Sequence, residues 1–202
     1  MITIAVYSIA MNYINPPYSS LMFYRQLFYN YKNKEVKYIS GKKIPAYVKR
    51  MVVAAEDYRF YQHNGIDIEA IKVAMKNNKA IGYNYYGGST ITQQLARTLF
   101  LIPKKYLIRK YFEAIIALEM DFFIPKERLL ELYLNNVEWG KGIYGIESAS
   151  FYYYKKSAIK LSYDEAARLI TVLPSPLNYT PGTFYKRARM VYRYNFLLGL
   201  YN

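Results

Sequence analysis

Two adjacent carboxylates, Glu56 and Asp57, begin the segment of this 202-residue chain that best suits acid–base chemistry. Aromatic residues, the only histidine (His63) and a glycine follow them. A carboxyl group beside an aromatic wall can have a raised pKa and accept a proton at neutral pH. A helix end with exposed acids explains these residues at least as well, because perturbed acids indicate functional sites only statistically.

A glycine pair precedes a hydroxyl-rich helix start in residues 87–97, where Ser89 is expected to cap the helix. Such a start presents free backbone N–H groups at the positive end of the helix dipole, which suits a phosphate or pyrophosphate. No Gly-Lys-Ser/Thr sequence ends the segment, so it is not a P-loop and ATP is not implied. A capped helix behind a glycine loop would explain these residues by themselves.

Cations and a carboxylate share one predicted helix face in the third segment. Arg109 and Glu113 are four positions apart, and Lys110 and Glu113 are three apart. The spacing gives either a surface ion pair worth about 0.3 kcal/mol or a carboxylate held ionised by cations that also neutralise a phosphate. The fourth segment, residues 130–135, is by itself an amphipathic helix with a glycine-rich exit.

The composition restricts the chemistry to carboxylates, hydroxyls and cations. The absence of cysteine excludes disulfides, thiol nucleophiles and thiolate metal sites, and a single histidine excludes a multi-histidine zinc site. With 28 Lys+Arg against 14 Asp+Glu, the net charge of +14 indicates an anionic partner: nucleic acid, a membrane surface or a phosphorylated substrate. Residues 70–112 contain several bases and no acid.

Helical periodicity dominates the chain and predicts a mainly α fold. Apolar residues recur at helical spacing in residues 44–56, 91–99, 107–118 and 126–136. Ser162 and Glu165 form a predicted capping box, and Pro174 ends the helix that it begins. The tail from Thr183 is predicted to be a basic amphipathic helix.

Residues 1–14 are mostly apolar, carry no charged side chain and precede Asn15-Pro16-Pro17. They are shorter than the ~20 residues that a spanning helix needs, and they lack the basic flank of a signal peptide. They are interpreted either as part of a membrane anchor, which we favour, or as an interfacial segment. Residues 15–202 form the predicted catalytic domain.

In this order, the four segments resemble family 51 of the glycosyltransferases, the peptidoglycan glycosyltransferases. The first family motif, Glu-Asp-x-x-Phe-x-x-His-x-Gly, is matched by Glu56, Asp57, Phe60, His63 and Gly65. The second is matched by residues 87–95, the third by Arg109, Lys110 and Glu113, and the fourth by residues 130–135. The resemblance covers residues from about 15 to about 181.

Two departures preserve charge: Arg97 replaces the usual lysine, and Lys105 replaces a common arginine. Ser157 and Lys160 match the Ser-x-x-Lys motif of the transpeptidase that follows this domain in many family members, but the other transpeptidase motifs are missing. The monofunctional, biosynthetic type is therefore expected.

The resemblance implies a lysozyme-like helical head with a smaller membrane-facing lobe. Glu56 would take the proton from the sugar 4-hydroxyl of lipid II, whose oxygen attacks the lipid-linked glycan donor with inversion and releases polyprenyl pyrophosphate. Glu113 is the second catalytic residue expected, positioning cations or a divalent ion. The residues expected to bind substrate are Asp57, Phe60, His63, Ser89, Thr90, Gln93, Gln94, Arg97, Lys105, Arg109, Lys110 and Asn135.

Partners and location also follow from the resemblance. They are lipid II, the nascent glycan strand, a membrane surface and other cell-wall synthesis proteins, with no nucleic acid, at the outer face of the bacterial cytoplasmic membrane. The resemblance leaves the metal requirement open: Mg2+ or another divalent cation is the candidate cofactor, because family members need a divalent ion to varying degrees.

Three alternatives stay open: a lytic enzyme that hydrolyses glycan strands, a basic nucleic-acid-binding protein, and a family member inactivated by truncation at the N-terminus. The lytic enzyme would not need cations directed at a pyrophosphate, and the nucleic-acid-binding protein leaves the carboxylate motifs unexplained.

Overall fold

A computed structural model describes residues 2–82, 87–104 and 106–200. The described residues form ten α-helices and one antiparallel pair of short strands, which confirms the predicted mainly α class. In chain order these are α1 (Ile2–Ala10), α2 (Ser20–Tyr29), α3 (Ala46–Glu56), α4 (Ile68–Ile81), α5 (Ile91–Phe100), α6 (Leu107–Phe123), α7 (Lys126–Asn136), β1 (Glu138–Gly140), β2 (Ile143–Tyr144), α8 (Ile146–Tyr154), α9 (Tyr163–Val172) and α10 (Ala188–Gly199).

Helix α5 lies at the centre and packs against α2, α6 and α7. Its buried side chains Ile91, Leu95 and Leu99 recur every four residues, so they line one face of the helix. Helix α3 packs instead against α9 and α10. Glu56, the last residue of α3, accepts hydrogen bonds from α5 and from α10, so it lies where these two groups of helices meet.

Capping residues determine where α5 and α9 begin. Ser162 and Glu165 form the capping box predicted for α9. In α5 the cap is Thr90 and not Ser89, because Thr90 forms a capping box with Gln93. The Thr90 hydroxyl also donates to the Gly65 carbonyl at 2.6 Å, and this contact between distant segments favours Thr90 over its neighbour.

At the N-terminus, α1 is a nine-residue helix packed against α6. Ser8 and Met11 are buried, whereas Val6 and Ile9 are exposed. Across the described ranges, no helix combines the length and the apolar character needed to cross a membrane.

Replacing Gly65 with alanine is expected to destabilise the fold more than the same change at Gly82. Both glycines have a positive φ, 76° and 77°, so either alanine costs ~1–2 kcal/mol in backbone strain. A Cβ on Gly65 would also lie 2.6 Å from the Ala117 carbonyl oxygen, whereas one on Gly82 would meet no atom within 4 Å. We expect this clash to add about 1–3 kcal/mol. Equal losses of unfolding free energy in urea titrations would contradict this account.

Candidate active site

The Glu56 carboxylate is held by two side-chain donors, one for each oxygen. Gln94 of α5 donates from Nε2 to Glu56 Oε2 at 3.0 Å, and Arg193 of α10 donates from Nη2 to Glu56 Oε1. The Glu56 side chain is 9% exposed, so it lies at the edge of the protein interior. The carboxylate is thus oriented and still reaches the surface.

A tyrosine supports Gln94 from behind. The Tyr133 hydroxyl of α7 donates to Gln94 Oε1 at 3.1 Å. Burial, followed by the nearby Glu56 charge, raises the pKa of Tyr133 well above 10, so its hydroxyl stays protonated and can donate. This bond leaves the Gln94 amide nitrogen directed at Glu56.

Asp57 has different partners and connects the first motif to the second. Its Oδ2 accepts the backbone N–H of Ile91 at 2.9 Å, at the first turn of α5. His63 Nε2 lies 2.9 Å from Asp57 Oδ1 and 3.0 Å from Oδ2. These buried contacts place the start of α5, and with it Gln94, against the end of α3.

The predicted anion site at the start of α5 does not fit the structure as expected. The N–H of Ile91 bonds to Asp57, and the N–H of Gln93 bonds to the Thr90 hydroxyl, so neither is free for a phosphate. Gly88 has a packing role as well, because a Cβ there would lie 2.9 Å from Cα of Ile71 in α4.

The third motif forms a cluster of cations around a buried carboxylate. Glu113 is 0% exposed, accepts from Arg109 and Lys110, and lies 3.9 Å from Arg97 Nη1. Arg97 and Lys110 are 38% and 42% exposed, so positive charge reaches the surface while the carboxylate does not. Lys110 also donates to the Ser89 hydroxyl at 2.8 Å. Three cations exceed one carboxylate, and the cluster can therefore bind an anion.

Lys105, which was expected in this cluster, lies outside the described residues.

The surroundings of Glu113 do not fit a divalent cation, because both carboxylate oxygens already contact cationic side chains. Among the described residues, Asp57, His63 and Asp67 form a buried group whose ligand atoms lie within 4.8 Å of one another. Hydrogen bonds engage part of this group: His63 Nε2 bonds to Asp57, and Asp67 Oδ1 accepts from the Ala70 N–H at 2.9 Å, whereas His63 Nδ1 and Asp67 Oδ2 have no hydrogen-bond partner within the described part of the chain.

Two cavities adjoin the hydrogen bond between Glu56 and Gln94. One, of about 230 Å³, is lined by Glu56, Tyr58 and Ser89 among others. The other, of about 180 Å³, is lined by Gln94 and Arg97 among others. The first cavity therefore gives access to the Glu56 carboxylate, and the second gives access to Arg97.

Comparison with known proteins agrees with the motifs. Residues 24–200 match the family model described as transglycosylase. The chain belongs to the transglycosylase family. It is 42% identical to a biosynthetic peptidoglycan transglycosylase of Paraburkholderia phytofirmans over 190 aligned residues. The alignment covers 90% of this chain and 79% of that protein. A relative of the same name from Shewanella amazonensis is 45% identical over 180 residues, 87% of this chain and 73% of that protein. Another, from Thiobacillus denitrificans, is 48% identical over 143 residues, 71% of this chain and 62% of that protein.

In this member of the transglycosylase family, several residues expected to bind substrate face inward instead. The Phe60 ring is fully buried in the core, and Gln93 is buried within the cap of α5. Asn135 is buried and exchanges hydrogen bonds of 2.9 Å with both backbone groups of Ile39. Direct contact with substrate does not fit these positions, since their polar atoms or rings are covered by other parts of the chain.

Asp57, His63 and Thr90 are also buried and bonded internally, although Asp57 and Thr90 form part of one cavity wall. Among the other residues expected to bind substrate, five do lie together around the two carboxylates: Ser89, Gln94, Arg97, Arg109 and Lys110.

Sequence reasoning missed two residues of the site. Tyr133 belongs to the fourth motif, and its place in that motif was a signal from which its role in the site could have been predicted. Arg193 follows the motifs by many residues in a tail notable only for its bases, so nothing local indicated its contact with Glu56.

Proposed function

We propose that this chain polymerises peptidoglycan glycan strands from lipid II, with Glu56 as the general base. One observation carries the proposal: helix α5 presents Gln94 to Glu56 and, three residues later, Arg97 to Glu113. Residues three apart are neighbours on a helix face, about 5–6 Å between Cβ atoms. A base and a set of anion-binding cations therefore lie side by side, as glycosyl transfer from a pyrophosphate requires.

Glu56 acts on the acceptor. It takes the proton from the 4-hydroxyl of lipid II as the oxygen of that hydroxyl attacks the anomeric carbon of the lipid-linked donor strand. The new glycosidic bond forms on the face opposite the leaving group, so the configuration inverts, as in inverting glycosidases where the attacking hydroxyl comes from water. The proton ends on Glu56, from which solvent removes it.

The cation cluster acts on the donor. As the bond between the anomeric carbon and the pyrophosphate oxygen breaks, negative charge grows on the leaving group. Arg97, Arg109 and Lys110 stabilise this charge, and Glu113 holds their side chains in place before substrate arrives. No carboxylic acid has to protonate the leaving oxygen.

Polymerisation of labelled lipid II in detergent tests the proposal directly. We expect long glycan strands and release of the polyprenyl pyrophosphate. A lytic enzyme would instead release fragments from finished peptidoglycan, and that result without polymerisation would contradict the proposal. The relatives are named as biosynthetic transglycosylases, which favours synthesis.

We also propose that α6 faces the membrane in which lipid II lies. Leu107, Tyr111, Leu118 and Phe122 follow one side of this helix at helical spacing, and all are exposed, Leu107 at 94% and Phe122 at 81%. A second group of exposed apolar side chains lies on α2: Phe23, Leu27 and Phe28. Such surfaces suit an interfacial lobe, and the net charge of +14 suits anionic lipids. These features support a membrane-associated location, and the outer face of the bacterial cytoplasmic membrane is proposed because the glycan strand is built there.

Replacing Phe122 with glutamine is expected to weaken membrane binding. If the ring enters the bilayer interface, its loss removes about 1.5 kcal/mol or more, which lowers the vesicle partition coefficient roughly tenfold. Tyr192, which is 78% exposed on α10, provides the matched control, because Tyr192→Gln makes the same kind of change on a helix that packs on α3 and α9. Co-sedimentation with phosphatidylglycerol vesicles measures both. Equal effects would argue against a membrane-facing α6.

A further inference from the structure

Arg193 reaches the proposed base from the C-terminal helix, 137 positions along the chain. We infer that Arg193 is a positioning residue that fixes the plane of the Glu56 carboxylate for proton transfer. This inference rests on the proposed role of Glu56. It makes α10 a functional part of the active site as well as a packing element.

The arginine is anchored independently of Glu56. Its Nη1 donates to the Ala55 carbonyl at 2.8 Å, and its Nη2 lies 3.3 Å from the Ile170 carbonyl oxygen. Two backbone acceptors, near the ends of α3 and α9, therefore hold the planar guanidinium in place without any bond to Glu56. The side chain is only 18% exposed, so water competes weakly for these bonds.

Arg193 and Gln94 donate to different oxygens of the Glu56 carboxylate. Arg193 bonds to Oε1 and Gln94 bonds to Oε2 of Glu56, so rotation of the carboxylate breaks at least one bond. An ionised carboxylate offers about four lone-pair sites on two oxygens. One site on each oxygen thus remains to receive the acceptor proton, and its direction is set by the two donors.

A purely structural role would not need the carboxylate. The bonds to Ala55 and Ile170 already join α3, α9 and α10, so they explain packing without any contribution from Glu56. The additional bond is directed at the one side chain proposed to move a proton. Loss of Arg193 should therefore slow the chemical step more than it weakens lipid II binding.

The experiment compares initial rates of lipid II polymerisation in detergent over a range of lipid II concentrations. Arg193→Met keeps much of the length of the side chain and removes its donors. We expect its kcat to fall about ten- to hundredfold, because small misplacement of a base has effects of this size, with KM changed less than about twofold. Arg193→Lys keeps a charge but loses the planar fork, and should recover part of the kcat.

Arg168→Met is the matched control. Arg168 lies on α9 and pairs with Asp164 and not with Glu56, so its loss should leave kcat unchanged. Guanidinium ions added to an Arg193→Ala variant should raise its kcat, since they can restore the donor, and should not affect Arg168→Met.

Wild-type or increased kcat in Arg193→Met would overturn the inference, as would loss of kcat matched by Arg168→Met. If Arg193→Met does not fold, the kcat of Arg193→Lys tests the inference instead. A wild-type kcat in that variant would show that the planar guanidinium is not needed. Glu56→Gln is measured in parallel. If Glu56→Gln remains active, the proposed function fails; if it is inactive and Arg193→Met is fully active, only the role of Arg193 fails.

Discussion

Replacing Glu56 with glutamine is expected to lower kcat for lipid II polymerisation by about 10²–10⁴-fold, the usual contribution of a general base. The amide has nearly the size of the carboxyl group, and its oxygen can still accept from Arg193. It cannot take the proton of the sugar 4-hydroxyl. Substrate binding should change little, because the cations around Glu113 are untouched by this substitution.

The fold should survive the same change. Gln94 can turn its amide over to present its oxygen to the new amide nitrogen, and the Tyr133 hydroxyl can then accept where it now donates. Circular dichroism and thermal unfolding check that the protein is intact. Glu69→Gln is the control, since this acid is exposed on α4 and pairs with Lys72. Near-normal polymerisation by a folded Glu56→Gln protein would contradict the assignment of Glu56 as the general base.

Replacing Glu113 with glutamine should reduce both stability and turnover. Its carboxylate is fully buried and contacts Arg109 and Lys110 directly, with Arg97 nearby. Removing one partner of a buried pair costs roughly 3–5 kcal/mol. We expect about 3 kcal/mol, because Arg97 and Lys110 are each more than one third exposed and water screens part of their mutual repulsion.

Turnover should fall roughly hundredfold, because cations that repel one another without their carboxylate no longer point at the leaving pyrophosphate. Asp164→Asn provides the comparison. Asp164 and its partner Arg168 are 47% and 35% exposed, so the expected cost is below about 1 kcal/mol and turnover should be unaffected. Urea unfolding and polymerisation rates separate the two effects. If Glu113→Gln changed stability alone, Glu113 would be a structural member of an ion-pair cluster.

Much of the helical scaffold could be predicted because its signals are local. Residues 44–56, 107–118 and 126–136 were expected to be helical, and α3, α6 and α7 cover most of them. Periodicity and capping act over three or four positions, so each segment carries its own information. The start of α5 was misplaced by one residue because the Thr90 hydroxyl also bonds to Gly65, a partner that sequence-local rules do not include.

The candidate site was predicted in part. Spacing alone placed Arg109, Lys110 and Glu113 on one helix face, and they do form a cluster. It did not show that Glu113 is fully buried, since burial depends on which other helices cover that face. For the same reason, Phe60 and Asn135 were expected to touch substrate although they support the fold from inside.

The sequence by itself determined the helical segments, the excess of cations and, through four motifs in order, membership of the transglycosylase family. Only the tertiary structure decided which donors hold Glu56. Gln94 is 38 positions from Glu56, and Arg193 is 137 positions away. Contacts over such separations depend on how the intervening helices pack. The Arg193 guanidinium can bond to the Glu56 carboxylate only when α3, α9 and α10 are packed against one another.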